Sequence, residues 1–430
     1  MKIFLFLIGL FSLLRVHLIG MIGISEIPIC LMGPFFFVKN YSLLRRDGFL
    51  PMAYLILLTC TGCIVASWLN FVPFANWVRG LATLVVFFCS FIFLHNFLRK
   101  DLDALKWLFA GIAISSVLVM FWGAGEDFES IASEESGYSL TVLLAPLFTV
   151  PLFLFYNRMP WFVSFSLLFC GGVFKIFTSE SGRSASLVLF AGSFLIWIGR
   201  KSATRMAVVR KRFVLYLVLG VVGLFVAKTM YTYAASSGLL GERARAKYVA
   251  QTGGSNSFAS ILIGGRSEAF ICIMAALDKP IVGYGPWALD TEGYSEQFRQ
   301  KYGIYDYEEE AKRARWYAQA GLSRKIEFIP FHSHIFGGWV WYGIFGLVMW
   351  GYVLHIIIKF YRKAPDAIPQ WWPCFSIVLP AAMWHILFSP FGGRVNMAAL
   401  VCAALFALKM SSGKWDPGRA FWKERQKFLP

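Results

Sequence analysis

The sequence predicts an all-α integral membrane protein of about twelve transmembrane helices, with one large, mainly helical loop between the ninth and tenth spans. Three observations predict it. Of 430 residues, 58% are hydrophobic and only 15% are charged, whereas a soluble domain carries about a quarter charged residues. The apolar residues gather in runs close to the ~20 needed to cross a bilayer as a helix. The positive residues fall between those runs, in every second connection and so on one side.

By length, the runs place spans near 3–20, 21–38, 50–69, 75–97, 105–122, 139–156, 160–177, 184–199, 213–230, 335–360, 371–388 and 395–410. A kink around Gly20 separates the first two. Met1-Lys2 followed by Ile3 to Leu14 resembles a signal sequence. It has no clear small-residue cleavage site and runs straight into a second span, so it reads as a retained first helix. Glu26 lies inside the second run, where a carboxylate is costly and needs a partner. Cys60-Thr61-Gly62-Cys63 has redox-motif spacing, but inside an apolar span it reads as small packing residues. The chain therefore divides into residues 1–230 with nine spans, the loop 231–330, residues 331–410 with three spans, and a basic tail, 411–430.

Charge sets the orientation. Arg45 and Arg46, then Arg99, Lys100 and Lys106, Arg158, the run from Arg200 to Arg212, Arg362 and Lys363, and the tail all share one side if both termini are cytoplasmic. The positive-inside rule requires that arrangement. The segment 123–137 on the other side carries Glu126, Asp127, Glu129, Glu134 and Glu135 and no positive charge. The hundred-residue loop is then periplasmic. The formal charge of +17 is accounted for by topology, so no nucleic-acid partner is expected. The expected surroundings are membrane lipids.

Within the loop, Ser267 to Leu277 reads as a short helix too short to span, lying along the membrane interface. Asp306 to Ala320 reads as an amphipathic helix with Glu308/Lys312 and Glu309/Arg313 at favourable spacing. Asp306-Tyr307-Glu308 has the spacing of a metal–diphosphate site, but those ion-pair partners make it a solvated face. No Cys/His metal constellation is visible, and no metal or other cofactor is expected. Cys272 is the loop's only cysteine, so no disulfide forms within it.

Three outward-facing clusters could carry chemistry. The first is Thr178-Ser179-Glu180-Ser181-Gly182-Arg183-Ser184. The second is Gly264-Gly265-Arg266-Ser267-Glu268, continuing through Asp278-Lys279-Pro280 to Gly283-Tyr284-Gly285-Pro286-Trp287. The third is His332-Ser333-His334, with Gly343 and Gly346 beyond it. Arg183 and Arg266 are planar cations suited to phosphate oxygens. The neighbouring Gly and Ser residues let backbone N–H groups approach an anion. Arg394, in Pro390-Phe391-Gly392-Gly393-Arg394, is a candidate third phosphate ligand. His332 or His334 can act as a general base near neutral pH. His17, His95, His355 and His385, lone histidines near span ends, read as structural. Phosphate clamps beside a base at the outer leaflet suggest transfer chemistry on a lipid-linked phosphate. Glycosyl transfer from a lipid diphosphate fits, because arginines stabilise the charge that grows on the leaving diphosphate.

The order of these motifs resembles the O-antigen ligase and O-antigen polymerase family of bacterial membrane proteins. The resemblance covers roughly residues 170–360. It rests on a Ser/Gly-Arg cluster opening a span, an Arg-containing large loop with a Pro-x-x-Gly-x-Gly turn, and His332 followed eleven and fourteen residues later by Gly343 and Gly346. It implies a type C glycosyltransferase-like fold in the bacterial inner membrane and an inverting, metal-independent glycosyltransferase. The donor would be a glycan on undecaprenyl diphosphate, bound by Arg183 and Arg266, with His332 as the base. The chain departs from the family at Ser333, where Asn is common, and at Trp341, where Glu is common. His334 is an additional candidate, so which histidine is the base stays open.

Polymerase and ligase need the same donor site and differ in acceptor, a lipid-linked chain or the lipid A core. The residues around Ser333 and Trp339 look like those of exopolysaccharide-operon members and favour the polymerase slightly. A twelve-span transporter or flippase is the alternative from another class. Carriers show two similar halves and midplane sites on broken helices, whereas this chain is asymmetric with an outward loop.

Overall fold

The computed structural model describes residues 2–12, 15–17, 21–46, 49–122, 149–155, 159–178, 183–199, 267–302, 328–330, 333–388 and 395–411, with short pieces between 229 and 249. Helix dominates these residues. Among the described residues, four helical stretches are long and apolar enough to cross a membrane: Leu50–Leu69, Phe74–Leu98, Ile344–Ala364 and Pro369–Phe388. The protein is thus built of α-helices with membrane-spanning character.

The first two expected spans take another form. Helix α1 covers only Lys2–Leu10, and a short antiparallel ladder follows, β1 (Arg15–His17) on β2 (Met21–Gly23). Helix α2 then runs Glu26–Lys39. Apolar composition cannot distinguish a kinked helix from a helix followed by a tight hairpin. Glu26 is explained by this break. It sits in the first turn of α2, where the helix dipole favours an anion. Its Oε2 accepts the Gly23 N–H at 3.0 Å.

A short helix that the sequence reading did not place, α3 (Tyr41–Arg46), comes next; α4 (Leu50–Leu69), α5 (Phe74–Leu98) and α6 (Leu105–Trp122) then follow the expected boundaries closely. After them come α7 (Trp161–Thr178) and α8 (Arg183–Gly199). Of the span expected at 139–156, residues 149–155 are described and helical. The span expected at 213–230 lies almost wholly outside the described residues, as does the helix expected at 306–320. Within the large loop, α9 (Ser267–Asp278) occupies the position expected for its short helix, and α10 (Tyr294–Tyr302) follows.

The expected span 335–360 is two helices. Helix α11 (His334–Tyr342) ends at Gly343, and α12 (Ile344–Ala367) starts directly after it. Gly343 has φ +63 and ψ −152, a backbone region essentially confined to glycine. The chain reverses there. A Cβ built on Gly338 would lie 2.7 Å from Cδ1 of Trp350, so the two helices run back alongside each other. Helices α13 (Trp372–Phe388) and α14 (Val395–Ser411) complete the described chain.

Helix α5 is the hub, packed by α2, α4 and α14. Its residues Cys89 to Leu98 are all buried. Aromatic rings fill the core around it: Phe49 stacks on Phe91 at 4.9 Å, and Phe87 meets Trp350 at 5.4 Å. Cys60 and Cys63 on α4 are free thiols. Between them Gly62 comes so close to α11 that a Cβ would lie 2.8 Å from the Tyr342 carbonyl oxygen. Small residues at that spacing let two helix backbones meet.

Candidate functional site

Two of the three sequence clusters meet in space. The turn from Lys279 to Trp287 docks into the break between α11 and α12. Gly283 and Gly285 adopt φ +77 and +86, which lets the backbone fold tightly onto its partner. Tyr284 N–H donates to the Val340 carbonyl at 2.6 Å, and Ile344 N–H donates to the Ile281 carbonyl at 3.1 Å. The Trp339 indole donates to the Pro280 carbonyl at 2.8 Å. Trp287 packs on Trp341, with ring centres 4.3 Å apart. A Cβ on Gly283 would lie 2.6 Å from the Val340 oxygen. The spacing of Gly283, Gly285 and Gly343 therefore has a packing cause. Gly283 and Gly343 each admit a backbone carbonyl where a side chain would collide, and Gly285 admits the Val72 side chain.

The same turn is tied to the α4–α5 hairpin. Lys279 Nζ donates to Asn70 Oδ1 at 2.7 Å, and Asn70 Nδ2 donates to the Gly283 carbonyl at 3.1 Å. Pro286 fills the space above Gly80 on α5. At the end of α9, Asp278 Oδ2 accepts the hydroxyls of Tyr284 at 2.5 Å and Tyr294 at 2.7 Å. Sequence reading missed this trio, because the partners are six and sixteen residues apart in a segment of no periodic pattern.

The trio has a pH signature. The Tyr284 and Tyr294 hydroxyls hold the Asp278 carboxyl below its usual range. Burial, then the carboxylate beside it, raises Tyr284. Burial pushes Tyr294 up to about 12. For the carboxylate, the depressed value means that its contribution is present above an unfolded value of about 3.9 and lost as pH falls below it. For the phenols, the raised values mean that theirs is present below about 10 and lost as pH rises towards 12. Thermal unfolding in detergent should therefore be level from pH 6 to 9 and fall above pH 10. Tyr294→Phe should flatten that alkaline fall; an unchanged fall would show that the trio does not set it.

The His332-Ser333-His334 cluster begins α11. Ser333 caps the helix, its Oγ accepting the Phe336 N–H at 3.1 Å, as N-cap serines do. The same hydroxyl donates to the Ile386 carbonyl at 3.2 Å. His334 is 1% exposed. Its Nδ1 lies 2.6 Å from the His385 carbonyl oxygen, so Nδ1 carries the proton and donates. Its ring meets Trp350 edge-on at 4.8 Å. The last turn of α13 leaves carbonyls without helical partners, and Ser333 and His334 satisfy two of them. The start of α11 is thereby stitched to the end of α13. His385, read as structural, contributes through its backbone carbonyl, which no side-chain pattern reveals.

Trp350 also fixes the depth of this joint. It contacts Phe87, which is thirteen residues from Phe74 and eleven from Leu98. At 1.5 Å per residue those are about 20 Å and about 16 Å along α5. His334 thus touches Trp350, which in turn touches α5 at Phe87.

Helix α8 reaches the same level. The Trp372 indole donates to the Leu195 carbonyl at 2.9 Å, and a Cβ on Gly192 would lie 2.8 Å from the Ser376 oxygen. The two helices are antiparallel. Nine residues up α8 from Gly192 is Arg183, and nine residues up α13 from Ser376 is His385, about 14 Å in each case. The Arg183 backbone therefore opens α8 level with the stitched joint. The Arg183 side chain, and Arg266, His332 and Arg394 entirely, lie outside the described residues. Their sequence neighbours are described. Arg266 precedes α9, whose Cys272 thiol donates to the Pro330 carbonyl. Pro330 and Ser333 flank His332. Arg394 precedes α14 and follows the end of α13 by six residues. Among the described residues no three His, Cys, Asp or Glu side chains converge as metal ligands would.

Compared with known proteins, the chain matches no family model, no curated protein and no solved structure.

Proposed function

We propose that the protein is a membrane glycosyltransferase that moves a glycan from an undecaprenyl diphosphate carrier to an acceptor hydroxyl at the periplasmic side of the bacterial inner membrane. The observation that carries the reading is the stitched joint. The start of α11, the end of α13 and the start of α8 share one level, and His332, Arg394 and Arg183 belong to the segments leaving it. In this reading the acceptor oxygen attacks the anomeric carbon. Its proton passes to His332 as the carbon–oxygen bond to the diphosphate breaks. The electron pair leaves with the diphosphate, where Arg183, Arg266 and Arg394 balance the growing charge. Attack from the face opposite the diphosphate inverts the anomeric centre. His334, buried and committed to the His385 carbonyl, is assigned to positioning. No metal has a part in these steps. The acceptor is a second carrier-linked chain, as in a surface-polysaccharide polymerase. A ligase acting on the lipid A core differs only there.

The test is turnover of a purified lipid-linked donor in detergent. Release of undecaprenyl diphosphate that depends on an acceptor glycan supports the reading; its absence with folded protein and both acceptor types sinks it. Deleting the gene separates the two acceptors. Loss of a polymerase leaves single repeat units on the acceptor, whereas loss of a ligase strands long chains on the carrier.

Arg266→Lys and Arg183→Lys should each lose most of the turnover at normal protein levels. An ammonium keeps the charge but cannot reproduce a two-pronged guanidinium contact to a diphosphate. Normal turnover in both would make these arginines headgroup anchors.

A further inference from the structure

We propose that the tip of the α4–α5 hairpin and the turn after α9 form one lipid anchor, with Phe71, Phe74, Leu277 and Ile281 in the acyl boundary and Lys279 at the level of the phospholipid phosphates. The four apolar side chains are 92%, 74%, 62% and 69% exposed. They come from segments some two hundred residues apart, yet the Lys279–Asn70 and Asn70–Gly283 hydrogen bonds hold these segments together. Contact with water would leave that apolar surface without the favourable transfer that burying it supplies.

Three features name the bilayer as the occupant. The patch continues the exposed apolar face of α4, where Leu57, Leu58, Ile64, Val65, Trp68 and Leu69 lead up to it. Helix α5, 25 residues from Phe74 to Leu98, is about 37 Å long against a hydrocarbon core of about 30 Å. Its Phe74 end therefore reaches the headgroup layer. Lys279 donates one N–H to Asn70 and sits over the Tyr284 ring at 4.3 Å; an ammonium has three N–H groups, so a phosphate oxygen can take the third. Phe71 adds a fourth observation. A bulky residue at φ +52 is strained, and at 92% exposure the protein itself offers it little packing in return.

The test uses the full chain in phospholipid vesicles. A photo-crosslinking phenylalanine analogue replaces Phe71, Phe74 or Ile281, with Leu57 as the lipid-facing reference and Leu289, 40% exposed and bridged to Phe328, as the aqueous one. Phospholipid adducts at the three sites at levels matching Leu57, and severalfold above Leu289, are expected. Adducts no higher than at Leu289 would overturn the proposal. Cross-links to a second copy of the chain in place of lipid would also overturn it. A nitroxide at Ile281, in a variant lacking the native cysteines, gives an independent reading. It should collide more with oxygen than with a water-soluble nickel chelate, and the reverse order would sink the idea. Neither readout depends on glycosyl transfer.

Discussion

His332→Ala is expected to abolish detectable transfer while the variant still inserts and folds in normal amounts. Transfer needs the acceptor hydroxyl deprotonated as it attacks. Removing a general base typically costs 10²–10⁴-fold, on the order of 3–5 kcal/mol of barrier. In the proposed reading His332 does that work, while the neighbouring Ser333 and His334 join α11 to α13. His334→Ala should behave differently. It removes a ring packed on Trp350 and strips the His385 carbonyl of a donor, so it should lower the melting temperature and the folded yield more than the chemical step. His334→Asn, which can still donate to that carbonyl, should recover part of the yield. The measurements are single-turnover rate across pH and thermal stability in detergent. Near-normal turnover in His332→Ala would refute the histidine-base mechanism, and so would complete loss of wild-type activity on chelation. A His334→Ala variant of normal stability without turnover would move the base to His334.

Among the glycines of the described residues, Gly343→Ala should have the largest effect on folding. At φ +63 and ψ −152 an alanine is strained by about 1–3 kcal/mol. Its Cβ would also overlap the Ile281 carbonyl oxygen, and overpacking adds about 1–3 kcal/mol. Together these approach the whole stability of many proteins, about 5–15 kcal/mol. The turn would have to leave the break, taking the Tyr284–Val340 and Ile344–Ile281 hydrogen bonds with it. Gly351 is the control. It lies within α12, a Cβ there meets nothing within 4 Å, and Gly351→Ala should stabilise by about 0.5–1 kcal/mol. Size-exclusion profiles of the detergent-extracted variants decide the matter. A monodisperse Gly343→Ala peak at wild-type yield would show that the docked turn is dispensable.

Several helices were legible because their cause is local. Helices α4, α5, α6, α8, α13 and α14 lie within a residue or two of the apolar runs that announce them, because length and hydropathy alone make a helix suited to lipid. Helix α9 was legible for the same reason, a short apolar run bounded by Gly and Pro. The packing role of Gly62 between Cys60 and Cys63 was legible too, since small residues inside a span have few other uses. The two places where the reading failed share a cause. Residues 3–20 and 335–360 are predominantly apolar, and hydropathy does not register a reversal of the chain. At Gly343 the reversal depends on Ile281, sixty-two residues earlier, and on Gly283 beside it.

The candidate site divides along the same line. Residue chemistry by itself determined which side chains could clamp a diphosphate or take a proton, because a guanidinium and an imidazole carry those properties wherever they stand. It also determined that the chain belongs in a membrane. Only the tertiary structure decided that His334 is buried against Trp350, that the carbonyls of His385 and Ile386 receive the start of α11, and that α8 opens at their level. Those outcomes rest on backbone groups and helix registers. Backbone carbonyls are the same in every residue, and a register between helices nearly two hundred residues apart in the chain is set by which surfaces pack.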